Sequence, residues 1–273
     1  MTDLDRIKQC YSILLGFDLT DSKHAGHPFF NSYNKLLALD PLSDDFKYIL
    51  YNNLFGPIEY LEELRRVDNS AFEVWKNRLI KNIRNVALYG DLFELYFHWT
   101  LAEKKLSFKN RENPDFSINC ESEIFVECTS ALFDFTQEPS EQKIFQKIRD
   151  SVRQKLVLNY MNSATILFVD ITNPFFHAKK LKIDITAQYL FSVLTNINEG
   201  FKKNPPRELK SLGAVVFVYF DYYKDENAEW KYPCNIAHHV FTDKADESLI
   251  SFLKSNFINA EPKSDVANPK FHH

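Results

Sequence analysis

The chain has 273 residues with 45% hydrophobic and 15% aromatic content, enough to bury a core and too apolar for a disordered protein. Its 33 Lys and Arg against 37 Asp and Glu leave a formal charge of -4, so the chain as a whole lacks the basic excess that marks nucleic-acid binding, and only a local patch would serve. Four cysteines without Cys-x-x-Cys pairing or zinc-type His spacing, a charged M-T-D-L-D-R start and no apolar run near ~18 residues argue against a metal-knuckle, secreted or membrane-spanning protein, and the expectation is a soluble cytoplasmic one.

Residues 1–85 read as a helical N-terminal region. Thr2 or Asp3 caps a first helix with Ile7, Tyr11 and Leu14 on one face, and Gly16 closes it. Ser43 caps a second through Phe46, Ile49, Leu50 and Leu54, which Gly56-Pro57 is expected to stop. The run Ile58–Val67 places Glu59, Glu62 and Glu63 before Arg65 and Arg66, an order that suits the helix dipole. Asn69 or Ser70 then caps a long helical stretch through Phe72, Trp75, Leu79, Ile83 and Val86, with Gly90 as its break. Its second half, Asp91–Trp99, is apolar nearly all round and predicts a helix buried on most sides. Glu94 and His98 share a face of it, and a carboxylate buried there needs a partner.

A polar turn over Lys109–Asn113 leads into two short β-runs. Alternation places Asp115, Ser117 and Asn119 on one side of the first, and Phe125, Glu127 and Thr129 on one side of the second. Paired antiparallel, the runs would bring Asp115 and Glu127 together near one end. Cys120 and Cys128 fall in these runs as small apolar core residues. Glu138-Pro139-Ser140 starts a helix with the stripe Ile144, Ile148, Val152 and Leu156 and the charges Lys143, Lys147, Arg149, Arg153 and Lys155, the most basic stretch of the chain. Ala164–Ile171 and Gly213–Phe220 are continuously apolar, as strands covered on both faces are. A helix around Ile185–Ile197 and a Lys202–Pro206 turn separate them. Beyond Asp221 one helix, Asp246–Phe257, precedes a polar tail whose Phe271-His272-His273 is too short for a metal site.

This order predicts an α/β fold with a mixed central sheet flanked by helices over residues 86–222, after the helical region 1–85 and before a C-terminal extension, 223–273, packed on the core. No Gly-rich phosphate loop, G-x-S-x-G or H-E-x-x-H occurs, which leaves nucleotide-driven motors, hydrolase elbows and zinc proteases unsupported.

Glu94 on a helix, Pro114-Asp115 on a strand and Glu127-Cys128-Thr129 on the next strand, before a lysine-rich helix, resemble the PD-(D/E)XK nuclease superfamily with its restriction-endonuclease-like fold. The resemblance spans roughly Val86–Phe220. It implies a metal-dependent nuclease that hydrolyses DNA, with Glu94, Asp115 and Glu127 as ligands of Mg2+ or Mn2+, and a role in restriction or defence would fit. Oxygen ligands suit such hard cations. Thr129 stands where the family keeps its lysine, and a lysine from the following helix is the expected substitute, Lys147 first with Lys143 and Lys155 behind it. The N-terminal helices would position substrate, a second copy or a protein partner. The alternative is a catalytically degenerate nuclease fold that binds protein or nucleic acid.

Each of these residues also has an ordinary structural role open to it. Asp115 suits a turn after proline, Glu127 an ion pair with a helix Lys or Arg, Glu94 a pair with His98 or a neighbouring basic residue, Thr129 a plain β position and the helix lysines a solvated face. His238 and His239 beside Cys234 alternate on an extended chain and do not form a ligand set. Asp170, before Thr172 and Asn173, reads as a turn residue.

Overall fold

A computed structural model describes residues 3–82, 85–133, 139–203, 212–224, 230–231 and 233–258. The chain divides between Leu106 and Ser107, and the two units rest on different packing, helix on helix in the first and helix on sheet in the second. The expectations for Ile83, Glu138, the Lys202–Pro206 turn beyond Lys203 and the Phe271–His273 tail lie outside the described residues, as does the Val86 side chain.

In the first unit α1 (Asp3–Cys10) runs into a π-helical turn, Tyr11–Leu15, which Gly16 ends at φ 64°. Ile7 and Tyr11 are fully buried as the spacing predicts, and the Tyr11 hydroxyl donates to the Leu54 carbonyl at 3.2 Å. His27 caps α2 (Pro28–Leu37) by accepting the Phe29 N–H at Nδ1, while Nε2 meets the Leu79 carbonyl at 3.2 Å. That bonding requires the neutral ring with its proton on Nε2. Ser43 caps α3 (Asp44–Tyr48) as expected.

Gly56-Pro57 does not stop the chain. Ile49–Phe55 widens into a π-helical stretch and α4 (Gly56–Val67) continues from it, with Pro57 in the first turn of α4, where its missing N–H costs least. Asp68, rather than Asn69 or Ser70, caps α5 (Asn69–Lys81), accepting from the Ser70 and Ala71 N–H groups at 3.0 Å each. The break expected at Gly90 falls instead at Asn82, whose extended ψ of 101° ends α5. Asn82 then donates to the Asp91 carboxylate at 2.6 Å. Gly90 lies inside α6 (Asn85–Glu103), which is buried on most sides as its composition implies, from Leu92, Phe93 and Leu95 to Phe97, Trp99 and Leu101. Because α6 packs on α4 and α5, the first unit extends past residue 85 to Leu106.

The second unit is the mixed sheet. β1 (Phe108–Asn110) takes the first two residues of the Lys109–Asn113 stretch expected to be a polar turn, leaves residues 111–113 outside any strand, and pairs antiparallel with β2 (Phe116–Asn119). β3 (Glu123–Ser130) is antiparallel to β2 with Phe116 opposite Val126, and parallel to β4 (Thr165–Asp170), itself parallel to β5 (Ala214–Phe220). After a small ribbon of β6 (Tyr223–Lys224) and β7 (Trp230–Lys231), β8 (Cys234–Phe241) closes the other edge, antiparallel to β5. The C-terminal extension thus contributes a strand of the central sheet. Cys128 is buried as expected, but Cys120 lies exposed in the turn after β2.

Ser140 caps α7 (Glu141–Leu156), whose Ile144, Ile148 and Val152 are fully buried against Leu167, Val169, Val215 and Phe217. α8 (Thr172–Lys180) and α9 (Ala187–Lys203) follow β4. Asp170 holds the turn into α8, accepting from the Thr172 N–H at 2.9 Å. Asp246 caps α10 (Glu247–Leu253). A π-helical turn follows and sets Phe257 against Phe168 on the opposite face of the sheet, ring centroids 5.3 Å apart. His238 and His239 sit on β8 across from Phe217 and Val216, on opposite faces.

Gly213 permits the closest backbone approach here, since a β-carbon at this position would collide with the Ser163 carbonyl oxygen and the Leu249 side chain. Gly213→Ala is expected to cost about 1–3 kcal/mol through that overpacking and to lower the thermal midpoint. In the first unit, Trp75 donates its indole N–H to Nδ1 of buried His98 at 3.2 Å, and burial pushes the His98 pKa down to about 4. An unfolded chain takes up that proton near pH 6.5, so stability is lost as pH falls from about 6.5 towards 4, by at most about 3 kcal/mol. Urea unfolding at pH 7 and 5 should show a smaller loss for His98→Gln, which retains an acceptor without the titration.

Candidate functional site

Three elements of the second unit carry charged or phenolic groups to one face of β3. Extending the register from Phe116 opposite Val126 sets Asp115 opposite Glu127, so the convergence expected from alternation occurs. The N–H groups of odd-numbered β3 residues point at β4, as Phe125 does to the Ala164 carbonyl and Ala131 to that of Asp170. The Cys128 N–H therefore points to the β2 side, just beyond the first residue of β2. The Asp115 carboxylate takes it at 2.7 Å. A side chain thus substitutes for a missing ladder bond and fixes Asp115 beside Glu127. The backbone of the preceding turn is tied in as well, by the Arg111 N–H on the Asp115 carbonyl at 2.8 Å.

Glu127 is 1% exposed. A charge buried to that degree demands compensation. One of its oxygens, Oε1, receives both the Lys155 ammonium and the Tyr160 hydroxyl, the latter at 3.0 Å. The other, Oε2, is buried without a hydrogen-bond partner among the described residues, as is the Ser117 hydroxyl on the same face of neighbouring β2. Burial by itself would push the Lys155 pKa down, but the Glu127 charge and hydrogen bond, with Asp115 behind them, outweigh it and hold it above its ordinary value. Burial, and then Glu127, push the Tyr160 phenol well up, so it stays a donor at neutral pH.

The lysine that reaches Glu127 is Lys155, and not Lys147. Lys147 lies eight residues earlier on α7, about 12 Å along the axis. It is also turned about 100° from the centre of the buried Ile144–Ile148–Val152 stripe, against about 20° for Lys155. Lys143 is exposed at the start of the helix. Thr129 is partly buried across from Val169, an ordinary β position. Glu94 belongs to the first unit, where its carboxylate meets Arg78 at 2.9 Å. Arg78 also pairs with buried Asp91 and lies over the Trp75 ring at 4.6 Å. Glu94 and His98, grouped by spacing, therefore have different partners, Arg78 and Trp75. Tyr160 has no counterpart in the motif reading, because nothing in L-N-Y-M-N marks it before the turn after α7 is folded.

Among the described residues no three His, Cys, Asp or Glu side chains gather closely enough to hold a metal ion by themselves. A two-carboxylate site still fits magnesium, which keeps several waters and takes one or two carboxylates with substrate oxygens. The unpartnered Glu127 Oε2 supplies the anionic oxygen such an ion needs. No helix among the described residues is long and apolar enough to cross a membrane.

Compared with protein-family models, curated proteins and solved structures, the chain matches none.

Removing the ammonium while keeping its stem leaves Glu127 with a buried charge satisfied only by Tyr160. Lys155→Met should destabilise the protein at the lower end of about 3–5 kcal/mol, Lys155 being partly exposed. Adding Glu127→Gln should restore part of that loss in a double-mutant cycle of urea unfolding.

Proposed function

We propose that this protein is a metal-dependent nuclease of the PD-(D/E)XK type that hydrolyses phosphodiester bonds in DNA. The observation that carries this reading is the convergence of Asp115, Glu127 and Lys155, with Glu127 Oε2 left without a partner among the described residues. Asp115 and Glu127 would hold Mg2+ or Mn2+. When bound, such an ion supplies a polarising charge for a phosphoryl oxygen and makes its water a stronger nucleophile. Lys155 supplies positive charge beside the carboxylates, where negative charge develops on the phosphoryl group, and its Glu127 contact holds it there before substrate arrives. Asp115, anchored on Cys128, orients without having to reorganise.

On this reading Lys155 takes the role foreseen for Lys147, and Glu94 is not needed as a ligand. The protein would act in the cytoplasm, in restriction or defence, with the N-terminal helices engaging substrate or a partner. A second reading, a nuclease-like protein without activity that binds protein or nucleic acid, is favoured by one observation, the commitment of Glu94 to Arg78.

Purified protein incubated with duplex and single-stranded DNA and with RNA, in Mg2+ or Mn2+, tests the two. The nuclease reading expects cleavage that EDTA abolishes, with Glu127→Gln, Asp115→Asn and Lys155→Met each reducing it at least about 100-fold, the scale seen when a positioned proton-transfer or charge-stabilising group is lost. Cleavage undiminished in the first two variants would sink the assignment. Absence of any cleavage favours the second reading.

A further inference from the structure

Glu127 is bonded asymmetrically, and the asymmetry comes from Tyr160. Both donors, Lys155 Nζ and Tyr160 Oη, sit on Oε1, and none of the described residues donates to Oε2. A lysine cannot enforce that choice by itself. Its ammonium is a compact charge on a flexible four-carbon stem that follows either carboxylate oxygen. Tyr160 differs: its ring is half-buried on the short segment after α7, and only the rigid phenol fixes where its hydroxyl lies. With the hydroxyl on Oε1, a turn of the carboxylate about its last bond breaks two hydrogen bonds to the same oxygen at once. The segment is itself anchored, by the Met161 N–H on the Leu158 carbonyl at 3.2 Å and the Asn162 side chain on the Tyr160 carbonyl at 3.4 Å.

We infer that Tyr160 is a positioning residue, which holds the Lys155 ammonium and Glu127 Oε1 together so that Oε2 stays open to a divalent cation. This rests on the metal reading of the same site. Without the phenol, the ammonium shares itself between both oxygens and competes with the ion for Oε2. Tyr160→Phe retains the ring and its packing and deletes only the donor.

The test is Mn2+ binding, followed by the loss of the free-ion electron paramagnetic resonance signal, on the full chain and on Glu127→Gln and Tyr160→Phe. Thermal midpoints without metal are measured alongside. The expected result is saturable binding by the parent, abolished in Glu127→Gln, and weakened at least about tenfold in Tyr160→Phe, the scale of losing one hydrogen bond to a charged group. The Tyr160→Phe midpoint should fall by less than that of Lys155→Met and leave the protein folded at the binding temperature, which separates positioning from general destabilisation. Binding by Tyr160→Phe within twofold of the parent overturns the inference and leaves the metal reading standing. A parent without Glu127-dependent binding overturns both. As a second arm, Tyr160→Phe combined with Lys155→Met removes the competing ammonium, and Mn2+ affinity should recover towards the parent's. A merely structural role for Tyr160 predicts no such recovery, and its absence counts against the inference.

Discussion

A carboxylate buried in the middle of a strand sets the terms for the second unit. Glu127 cannot keep its charge at 1% exposure without partners, and the only elements able to supply them are those packed on its face of the sheet. Hence the run of α7 across β3, the placement of Lys155 in its last turn and the short segment that returns with Tyr160 are one solution to one problem. The apolar stripe of α7 carries most of the packing energy and, in doing so, delivers a cation to a fixed spot. Replacing the whole arrangement by apolar residues of similar volume would be energetically acceptable, because a buried ion pair seldom exceeds a hydrophobic contact in net stabilisation. Stability alone therefore does not require the pair.

The first unit meets a similar demand differently. Asp91 and Glu94 on α6 converge on the single guanidinium of Arg78, which is stacked on Trp75. A planar fork with several donors serves two carboxylates at once, where an ammonium would not. The outcome is a cluster in which both carboxylates are bonded, with Asn82 on its buried member, and this is the character of a structural network. At Glu127, by contrast, compensation among the described residues falls on one oxygen and leaves the other without a donor. Two groups of acidic residues that look alike in composition thus differ in how completely the protein satisfies them.

The parts of this architecture legible in the sequence were those governed by periodicity. The β4 and β5 runs, the α7 stripe and the alternation around Asp115 and Glu127 all register as local patterns, and each has its expected place. What was not legible depended on tertiary partners. β8 carries two histidines and an asparagine, so its apolar signal is weak, and it becomes a strand because the edge of β5 offers unpaired backbone groups. Pro57 reads as a stop, yet the π-helical turns before it let the helix continue. The break at Asn82 instead of Gly90 reflects a side-chain bond to Asp91 that no window of propensity contains.

The choice between Lys147 and Lys155 follows from where each falls around the helix. Both are lysines on one basic helix, and charge pattern alone ranks neither above the other. Measured from the buried stripe, however, Lys155 lies about 80° closer to the sheet than Lys147, and the two are separated along the axis by more than a lysine stem can span. A helix lysine can replace one on the strand only at the position where the stripe brings the stem over the carboxylate. That geometry also explains why the lysine needs a companion. A lysine two residues along the strand would approach its carboxylate from a fixed direction, whereas a stem reaching down from a helix has rotational freedom to spare. Tyr160 removes that freedom from the carboxylate's side of the pair, so on the proposed nuclease reading Lys155 and Tyr160 together would stand in for a strand lysine at Thr129.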